Sequence, residues 1–437
     1  MDDTTTRRLT PQVQLVKLSE VHFDEGVYPR QAHDPALVQR YATCLDQIEA
    51  EHHYITLSTD HILLDGKHRY LAYRTRYEPD DLHHEIPVYV RDLAQEAERF
   101  RFACHVNGNS GWQLVHDDKV SAAIRLYGYG DSYESIAATL HVSKRQITDW
   151  LSRTVKEQKD RQDKQIMALW LACHTEAEIG EQLKLPRQTV SDRLQGLPEE
   201  YQRTNSAKLA FQDDFDVPLY NVWKQQEKSN QVTHFGNSEA RWLENLLYLY
   251  TEPFDIVVDP FAGGGSTIDV CRHRGRRYWA SDRKPIIARE HEIRQLDLVA
   301  DGLPALHKRW GDVRLVYLDP PYWKQAAGEY SDDPTDLANM SLDDFTTTLT
   351  RLVHGFAKKL RAGAHIAMLL QPTQWKAPGR RYTDHVADLL RAVNLPLAMR
   401  VSCPYESQQA TAQMIDWAKQ HRQILVLSRE LVIWACP

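Results

Sequence analysis

The stretch FDIVVDPFAGGGSTIDVCRHRG, residues 254–275, decides the fold of the C-terminal half of this chain. Its apolar run at 256–258 predicts a buried β-strand that ends at Asp259, and the pattern after Ser266 predicts an α-helix. Three glycines at 263–265 let a ligand approach the backbone closely, and a helix N-terminus favours an anionic group. The stretch therefore predicts a doubly wound α/β domain with a ligand site at this turn.

Two further strand ends follow along the chain. The run RRYWASDRKP predicts a second strand that ends at Asp282, whose carboxylate can accept hydrogen bonds from ribose hydroxyls. The run RLVYLDPPYW predicts a third strand, which ends at Asp319. The two prolines after Asp319 fix φ and remove backbone donors, so they form a rigid platform. We expect Asp319 and the Pro320 carbonyl to accept hydrogen bonds from an exocyclic amine while Tyr322 stacks on a base.

These three elements, in this order, resemble the S-adenosylmethionine-dependent amino-methyltransferases of DNA, which make N6-methyladenine or N4-methylcytosine. The resemblance implies direct methyl transfer to an amine of a flipped base, without a covalent intermediate or a metal. It implies that the cofactor S-adenosylmethionine is bound by Asp259, Phe261, Gly263, Gly265 and Asp282. It also implies that the catalytic residues are Asp319, Pro320, Pro321 and Tyr322.

Other segments of the C-terminal half resemble the same family. Residues 233–253 resemble its cofactor-flanking helix, 360–375 its next strand, and 397–407 with 423–437 its closing antiparallel pair. The sequence contains no long insert of the kind that reads a target. The short segments available for that role are 323–342 and 372–384, and the second contains Lys376, Arg380 and Arg381. We therefore expect target choice to depend on another part of the chain.

The middle of the chain contains an internal repeat, SYESIAATLHVSKRQITDWL at 132–151 and TEAEIGEQLKLPRQTVSDRL at 175–194. Each copy has a hydroxyl cap, a first helix, a short apolar turn and a second helix, which is the helix-turn-helix pattern. Arg-Gln at the start of both second helices favours contact with double-stranded DNA over the alternative, two hairpins that only pack in a bundle. The predicted DNA-binding residues are Lys144, Arg145, Gln146, Arg187, Gln188, Thr189 and Arg193.

The N-terminal segments VYPRQAHDPALVQRYATCL and LLDGKHRYLAYR resemble the N-terminal domain of ParB-like proteins. In that family a glycine and basic residues at a helix start meet nucleotide phosphates. Here Lys67, His68 and Arg69 occupy these positions and are candidates for binding phosphate, with a nucleotide as a further partner. The alternative is a solvated basic turn.

Length and composition agree with a multi-domain protein. The 437 residues predict several domains, and the net charge of -7 means that nucleic acid must be held by local basic surfaces. The six cysteines are scattered, so we expect small buried side chains and neither disulfides nor a metal site. We see no signal peptide and no membrane-spanning run, and we expect a cytoplasmic protein that does not bind a membrane.

The predicted organisation is an α+β ParB-like domain at 12–110, an all-α tandem helix-turn-helix region at 111–200, a linker at 201–230 and an α/β Rossmann-like methyltransferase domain at 231–437. The predicted activity is methylation of DNA to which the N-terminal DNA-binding domains direct the enzyme, with the helix-turn-helix region contributing to site choice. N6 of adenine is favoured because the motif is Asp-Pro-Pro-Tyr. The alternatives are an N4-cytosine methyltransferase, an RNA amino-methyltransferase, and a ParB-like DNA-binding regulator with an inactive methyltransferase fold. Formation of a homodimer stays open.

Overall fold

The computed structural model describes residues 12–437 except 31, 79–80, 82, 110–113, 213, 225–238, 290–291, 326, 328–330, 375–381 and 405–410. The chain divides into two compact units, Met1–Arg161 and Gln162–Pro437. No helix in the described part of the chain is both long and apolar enough to cross a membrane.

The first unit begins with a small α+β domain. Its strands are β1 (Gln12–Lys17), β2 (Ile55–Ser58), β3 (Leu63–Asp65) and β4 (Glu85–Arg91). Its helices are α1 (Pro35–Thr43), α2 (Leu45–Ala50), α3 (Lys67–Tyr77) and α4 (Glu96–Asn109). The sheet has the order β1-β4-β2-β3, with β4 parallel to β2 and antiparallel to β1. Its helix-facing side chains, such as Ile55, Leu57, Ile86 and Val88, are fully buried.

Helices alone follow in the middle of the chain. They are α5 (His116–Gly128), α6 (Tyr133–Leu140), α7 (Lys144–Leu171), α8 (Glu176–Leu183), α9 (Arg187–Leu194), α10 (Leu197–Thr204) and α11 (Ser206–Leu209). The succession of an α+β, an all-α and an α/β part confirms the predicted fold class.

The two repeats adopt the same local structure. Ser132 caps α6 and Thr175 caps α8 through side-chain oxygens that accept backbone N–H groups. The turn after each first helix begins with a residue of positive φ, His141 in one repeat and Lys184 in the other. In the second repeat a Cβ at Gly180 would lie 2.7 Å from the Leu185 carbonyl oxygen, so only glycine permits this close turn.

Helix α7 is a single 28-residue helix, and it contains the boundary between the two units. Its first part, residues 144–151, is the second helix of the first repeat. Its last turn belongs to the second unit, where Met167, Leu171 and Ala172 pack into one core cluster with the strands of the α/β domain. The second repeat therefore lies in the same compact unit as the α/β domain, whereas the four-part division of the chain stays a prediction.

The α/β domain is built on a seven-stranded sheet. Its strands and the small β-ribbon beside it are β5 (Ile256–Asp259), β6 (Arg277–Asp282), β7 (Ile293–Gln295), β8 (Val313–Leu318), β9 (His365–Leu370), β10 (Thr373–Gln374), β11 (Tyr382–Thr383), β12 (Leu397–Pro404) and β13 (Ser428–Ala435). Its helices are α12 (Ala240–Tyr250), α13 (Ser266–His273), α14 (Leu342–Ala357), α15 (His385–Val393) and α16 (Ala412–Gln420).

The sheet has the order β12-β13-β9-β8-β5-β6-β7. Strands β5 to β9 within it are parallel, and β13 is antiparallel to both of its neighbours. The predicted strand ends at Asp259 and Asp282, the helix start at Ser266 and the closing antiparallel pair are confirmed. Five of the six cysteines are buried and all six are free thiols, as expected, and Cys44 is half-buried.

The described residues between the second repeat and α12 include side chains that pack on the α/β domain. Leu209, Phe211 and Trp223 are buried there. The buried Arg274 at the end of α13 fixes this segment, because its guanidinium binds Asp214 at 2.9 Å and Glu244 at 2.6 Å.

A shortened chain tests where the catalytic unit begins. A chain that starts at residue 205 lacks Met167, Leu171, Ala172 and Cys173, which are buried in the α/β core. Removal of one large core side chain costs about 2–5 kcal/mol, so we expect residues 205–437 to unfold at a much lower temperature than residues 162–437. Circular dichroism on heating measures both midpoints, and equal midpoints would show that the end of α7 is not part of this core.

Candidate active site

The candidate site lies where the order of the sheet reverses. From β5 the chain first builds β6 and β7 on one side and later β8 and β9 on the other. In a doubly wound sheet, ligands bind beyond the carboxyl ends of the strands at such a switch point. Asp259 ends β5, Asp282 ends β6 and Asp319 directly follows β8. The structure therefore brings the three predicted acidic residues to one edge of the sheet.

Asp259 is 2% exposed and shapes the turn after β5. One carboxylate oxygen accepts the Phe261 N–H at 3.0 Å, and the other accepts the Thr267 hydroxyl. Burial, with a smaller contribution from the nearby carboxylates of Asp319 and Asp282, raises the pKa of Asp259 to about 7, although its two hydrogen bonds oppose this change. Asp259 thus holds the glycine loop from inside the fold, and a direct contact of Asp259 with the cofactor stays a prediction.

The glycine loop has the geometry of an anion-binding turn. Gly263 and Gly265 have φ of 49° and 83°, and a Cβ at Gly265 would lie 2.8 Å from the Arg289 side chain. At the first position of α13, the buried Ser266 hydroxyl has no hydrogen-bond partner within the described structure. This hydroxyl and the free N–H groups of the helix start suit a carboxylate such as that of the methionine part of S-adenosylmethionine.

Asp282 connects the second strand to the loop. Its carboxylate accepts the Gly263 N–H at 3.0 Å and the Lys284 N–H at 2.9 Å. A carboxylate offers about four lone-pair positions, so the same group retains capacity for ribose hydroxyls. Sequence reasoning predicted the ribose contact but not that Asp282 positions the glycine loop.

The Asp-Pro-Pro-Tyr platform carries a hydrogen bond that the sequence pattern does not reveal. The Tyr322 hydroxyl donates to an Asp319 carboxylate oxygen at 3.2 Å. The Arg429 guanidinium lies over the Tyr322 ring at 5.4 Å and over the Trp242 ring at 5.5 Å. Tyr322 therefore orients Asp319 as well as presenting an aromatic face.

Trp323, the residue after Tyr322, anchors the platform to neighbouring segments. Trp323 is 3% exposed, and its indole N–H donates to the Met340 carbonyl at 3.0 Å. Its own carbonyl accepts the Thr373 hydroxyl at 2.8 Å. The platform is thus tied to β10, which follows the neighbouring strand β9.

The predicted DNA-binding residues divide into exposed and internally engaged groups. Lys144, Arg145 and Gln146 are exposed at the start of α7, where Lys144 pairs with Glu134 and Gln146 accepts the Ser143 N–H. In the described structure no ion pair to Arg145 is found.

In the second repeat, fewer of the predicted DNA-binding residues are exposed. Arg187 has a side chain 74% exposed and an ion pair with Glu176 at 3.1 Å, and Gln188 is exposed and binds Asp192. Thr189 is half-buried. Arg193 turns back to Asp163 of α7 at 3.2 Å, so it supports the fold of the repeat.

The end of α7 and the turn that leads into the second repeat attach to the edge of the sheet opposite the active site. The Arg277 guanidinium at the start of β6 lies 4.3 Å from the Trp170 ring centre, and Phe254 before β5 packs on the same ring. Arg309, which precedes β8, donates to the Cys173 carbonyl. These contacts lie at the amino ends of strands, whereas the three acidic residues lie at the carboxyl ends. A strand of five or six residues is about 17–20 Å long, which separates the two edges.

The three candidate phosphate-binding residues lie at the start of α3. Lys67 and His68 are 8% and 5% exposed, and His68 accepts the Asp34 N–H at 2.9 Å. Burial and the nearby Arg30 lower the pKa of His68 to about 4. Arg69 pairs with Asp65 and donates to two backbone carbonyls. Their burial is unlike a solvated basic turn, and phosphate binding stays a prediction.

Thr267, Arg429 and Trp242 are site residues that the sequence analysis missed. Thr267 follows the three glycines at a fixed spacing, so the run GGGST carries a usable signal. Arg429 and Trp242 come from a closing strand and a flanking helix. The contacts of Arg429 with the Tyr322 and Trp242 rings depend on tertiary packing and have no local signature.

Comparison with known proteins places this chain in a family. The family model for DNA methylases matches residues 48–291, more than half of the chain. The match includes the glycine loop and Asp282, and it ends before Asp319. No curated protein has a sequence that matches this chain.

The structure shows weak similarity to several solved proteins. One is the chromosome-partitioning protein ParB from Caulobacter crescentus complexed to the centromeric parS site, with 13% identity, 32% of this chain and 70% of that chain covered, and a TM-score of 0.24. Another is TrmN from Thermus thermophilus, with 16% identity, 45% and 48% covered, and a TM-score of 0.28. A third is an S-adenosylmethionine-dependent methyltransferase from Mesorhizobium loti, with 15% identity, 45% and 98% covered, and a TM-score of 0.27.

The buried carboxyl group of Asp259 predicts a pH-dependent stability. Its pKa is about 7 in the folded chain and about 3.9 in an unfolded one. The folded state therefore retains a proton that the unfolded state releases, so this stabilising contribution is present below about pH 4 and is lost as the pH rises through 7. Asp259→Asn has no such proton, and the free energy of unfolding of the unaltered chain should fall relative to this variant by at most about 1.4 kcal/mol per pH unit.

Urea unfolding of both proteins between pH 5 and pH 8 measures this difference. Parallel stability curves would show that Asp259 is ionised throughout this range.

Proposed function

The chain belongs to the DNA methylase family that modifies N6 or N4 amino groups, and we propose that its substrate amine is N6 of adenine in double-stranded DNA. The observation that carries the proposal is the pairing of Asp319 with Tyr322 beside the glycine loop. The preference for adenine rests on the Asp at the first position of the motif, because a Ser there would favour cytosine.

S-adenosylmethionine, the methyl donor of this family, supplies an electrophilic methyl group when bound. In the proposed reaction Asp319 and the Pro320 carbonyl accept the two amine hydrogens, so the nitrogen lone pair points away from both oxygens. Asp319 is the first acceptor for the proton that the nitrogen loses when it takes up the methyl group. Tyr322 stacks on the flipped base and keeps the Asp319 carboxylate in place through its hydroxyl.

On the cofactor side, the roles follow from hydrogen bonds already described. Ser266 and the N-terminus of α13 would hold the carboxylate, and Asp282 would hold the ribose hydroxyls while it fixes Gly263. Asp259 and Phe261 keep the turn open for the ligand.

The helix-turn-helix repeats would hold the DNA rather than read the bases beside the methylated one. Arg145 and Arg187 are exposed cations at the starts of their helices, which suits phosphate or base contacts. Because the chain enters the second repeat from the amino-end edge of the sheet, the contacts of this repeat would lie on DNA away from the flipped base. This arrangement fits a tether that raises the local concentration of substrate.

The chemical role of Asp319 is tested by substitution. Asp319→Ala should slow methyl transfer, because the transition state loses about 2–4 kcal/mol of stabilisation, the loss typical of one positioned polar group. Cofactor affinity, measured by calorimetry, should stay the same because Asp319 faces the base. The assay follows labelled methyl groups into an unmethylated plasmid, and sequencing that detects modified bases identifies the base and its sequence context.

Three results would contradict the proposal. Normal turnover by Asp319→Ala would remove Asp319 from the reaction. Modification of cytosine would overturn the preference for adenine, and label in RNA but not in the plasmid would overturn the DNA substrate.

The tethering role is tested on Arg187. Arg187→Ala should weaken duplex binding and reduce its salt dependence by about one unit of slope, while the methylated sequence stays unchanged. Arg391→Ala is a matched control, because Arg391 is also an exposed and ion-paired arginine, with a side chain 78% exposed. A change in the methylated sequence would instead assign base reading to α9.

A further inference from the structure

The connection between the two closing strands leaves the sheet at the active-site edge. Pro404 at the end of β12 pairs with Ser428 at the start of β13, and Glu430 pairs with Leu370, the last residue of β9. Strand β9 is parallel to β8, whose carboxyl end carries Asp319. The described part of the connection, α16 and residues 421–427, is thus a third segment at this edge, in addition to segments 323–342 and 372–384. The basic residues of segment 372–384, Lys376, Arg380 and Arg381, lie outside the described residues.

This connection is held to the catalytic platform by hydrogen bonds. The Gln374 side chain donates to the Ile424 carbonyl at 2.7 Å and accepts the Val426 N–H at 3.0 Å. Its neighbour Thr373 donates to the carbonyl of Trp323, the residue after Tyr322. The backbone at Ile424 is therefore coupled to the platform through two adjacent residues of β10.

The side chains at this point combine apolar and basic character. Ile424 is 88% exposed, although its backbone is pinned. The exposed run at 419–424, KQHRQI, contains Lys419 and Arg422 and no acidic residue. A single exposed isoleucine has no meaning by itself. The chain has a net charge of -7, so DNA phosphates must be bound by local basic side chains. Two such side chains precede Ile424, whose backbone is fixed by hydrogen bonds at the edge of the sheet that carries Asp319.

We propose that Ile424 is the wedge that enters the DNA stack beside the flipped base, while Lys419 and Arg422 contact the flanking phosphates. The inference rests on the proposed function, since only a base in a duplex needs to be extruded. Base flipping costs unpairing and unstacking, and proteins that distort DNA often insert an apolar side chain between base steps. The hydrogen bonds to Gln374 would keep the wedge at a constant position relative to Asp319.

The experiment compares two synthetic duplexes that contain the sequence methylated in the plasmid. In one the target base is paired, and in the other it lies opposite an abasic position, so that extrusion needs little help. Full-length Ile424→Ala should methylate the paired duplex about tenfold more slowly and the abasic duplex within about twofold of the unaltered chain. Ile424→Leu should retain most of the rate on both.

Leu219→Ala is the matched control, because Leu219 is a similar side chain, 78% exposed, in the segment before α12. It should behave as the unaltered chain on both duplexes. Calorimetry of cofactor binding reports whether Ile424→Ala is folded, and an unchanged affinity is expected because the side chain lies outside the core.

Each other outcome overturns the inference in a distinguishable way. If the unaltered chain methylates no DNA, the proposed function fails and the wedge with it. If it methylates DNA and Ile424→Ala is equally fast on the paired duplex, the wedge alone is wrong. An equal loss on both duplexes would assign Ile424 to general DNA binding, which also overturns the wedge.

Discussion

The catalytic unit depends on one buried carboxylate. Asp259 ends the central strand β5 and accepts hydrogen bonds from the Phe261 N–H and the Thr267 hydroxyl, one before and one after the glycines. These bonds close the strand-to-helix turn around an acid whose pKa burial raises to about 7. A carboxyl group buried in this way is costly unless it is hydrogen-bonded or neutral, so the turn has little freedom to adopt another shape. The turn sets the start of α13 and places the Gly263 N–H where it donates to Asp282.

The local part of the site could be predicted from the sequence because each strand is a continuous apolar run that ends in one acidic residue. Buried parallel strands have this sequence pattern. The predicted end of β6 at Asp282 and the predicted start of α13 at Ser266 are the ends found in the structure. The contact of Arg429 with Tyr322 could not be predicted, because it joins β13 to the end of β8 across the sheet. The Tyr322 hydroxyl bond to Asp319 was missed for another reason: a tyrosine three residues from an aspartate can stack, donate or do both, and only the side-chain rotamers decide.

Helix α7 shows a second limit of sequence patterns. Its early apolar residues, Ile147 and Leu151, pack in the first repeat, and its late ones, Met167 and Leu171, pack on the α/β sheet. An apolar stripe indicates that a helix face is buried but does not identify its partner. The sequence repeat therefore predicts both helix-turn-helix units correctly and still cannot show that they belong to different compact units.

A base-modifying enzyme must both attach to DNA and extrude one base, and the two edges of the sheet are suited to different ones of these tasks. Stable attachment to DNA needs positive charge and can be made far from the modified base. Extrusion of one base needs groups whose position relative to Asp319 is fixed to within a fraction of a turn of the DNA helix. The contacts of Trp170 and Cys173 attach the end of α7, which leads into the second repeat, to the amino-end edge, away from the three acidic residues. The β12–β13 connection meets the carboxyl edge and shares β10 with the catalytic platform. A short connection of this kind needs no separate domain to stay aligned with Asp319, because the sheet itself supplies the alignment that a separate domain would have to achieve through its linker.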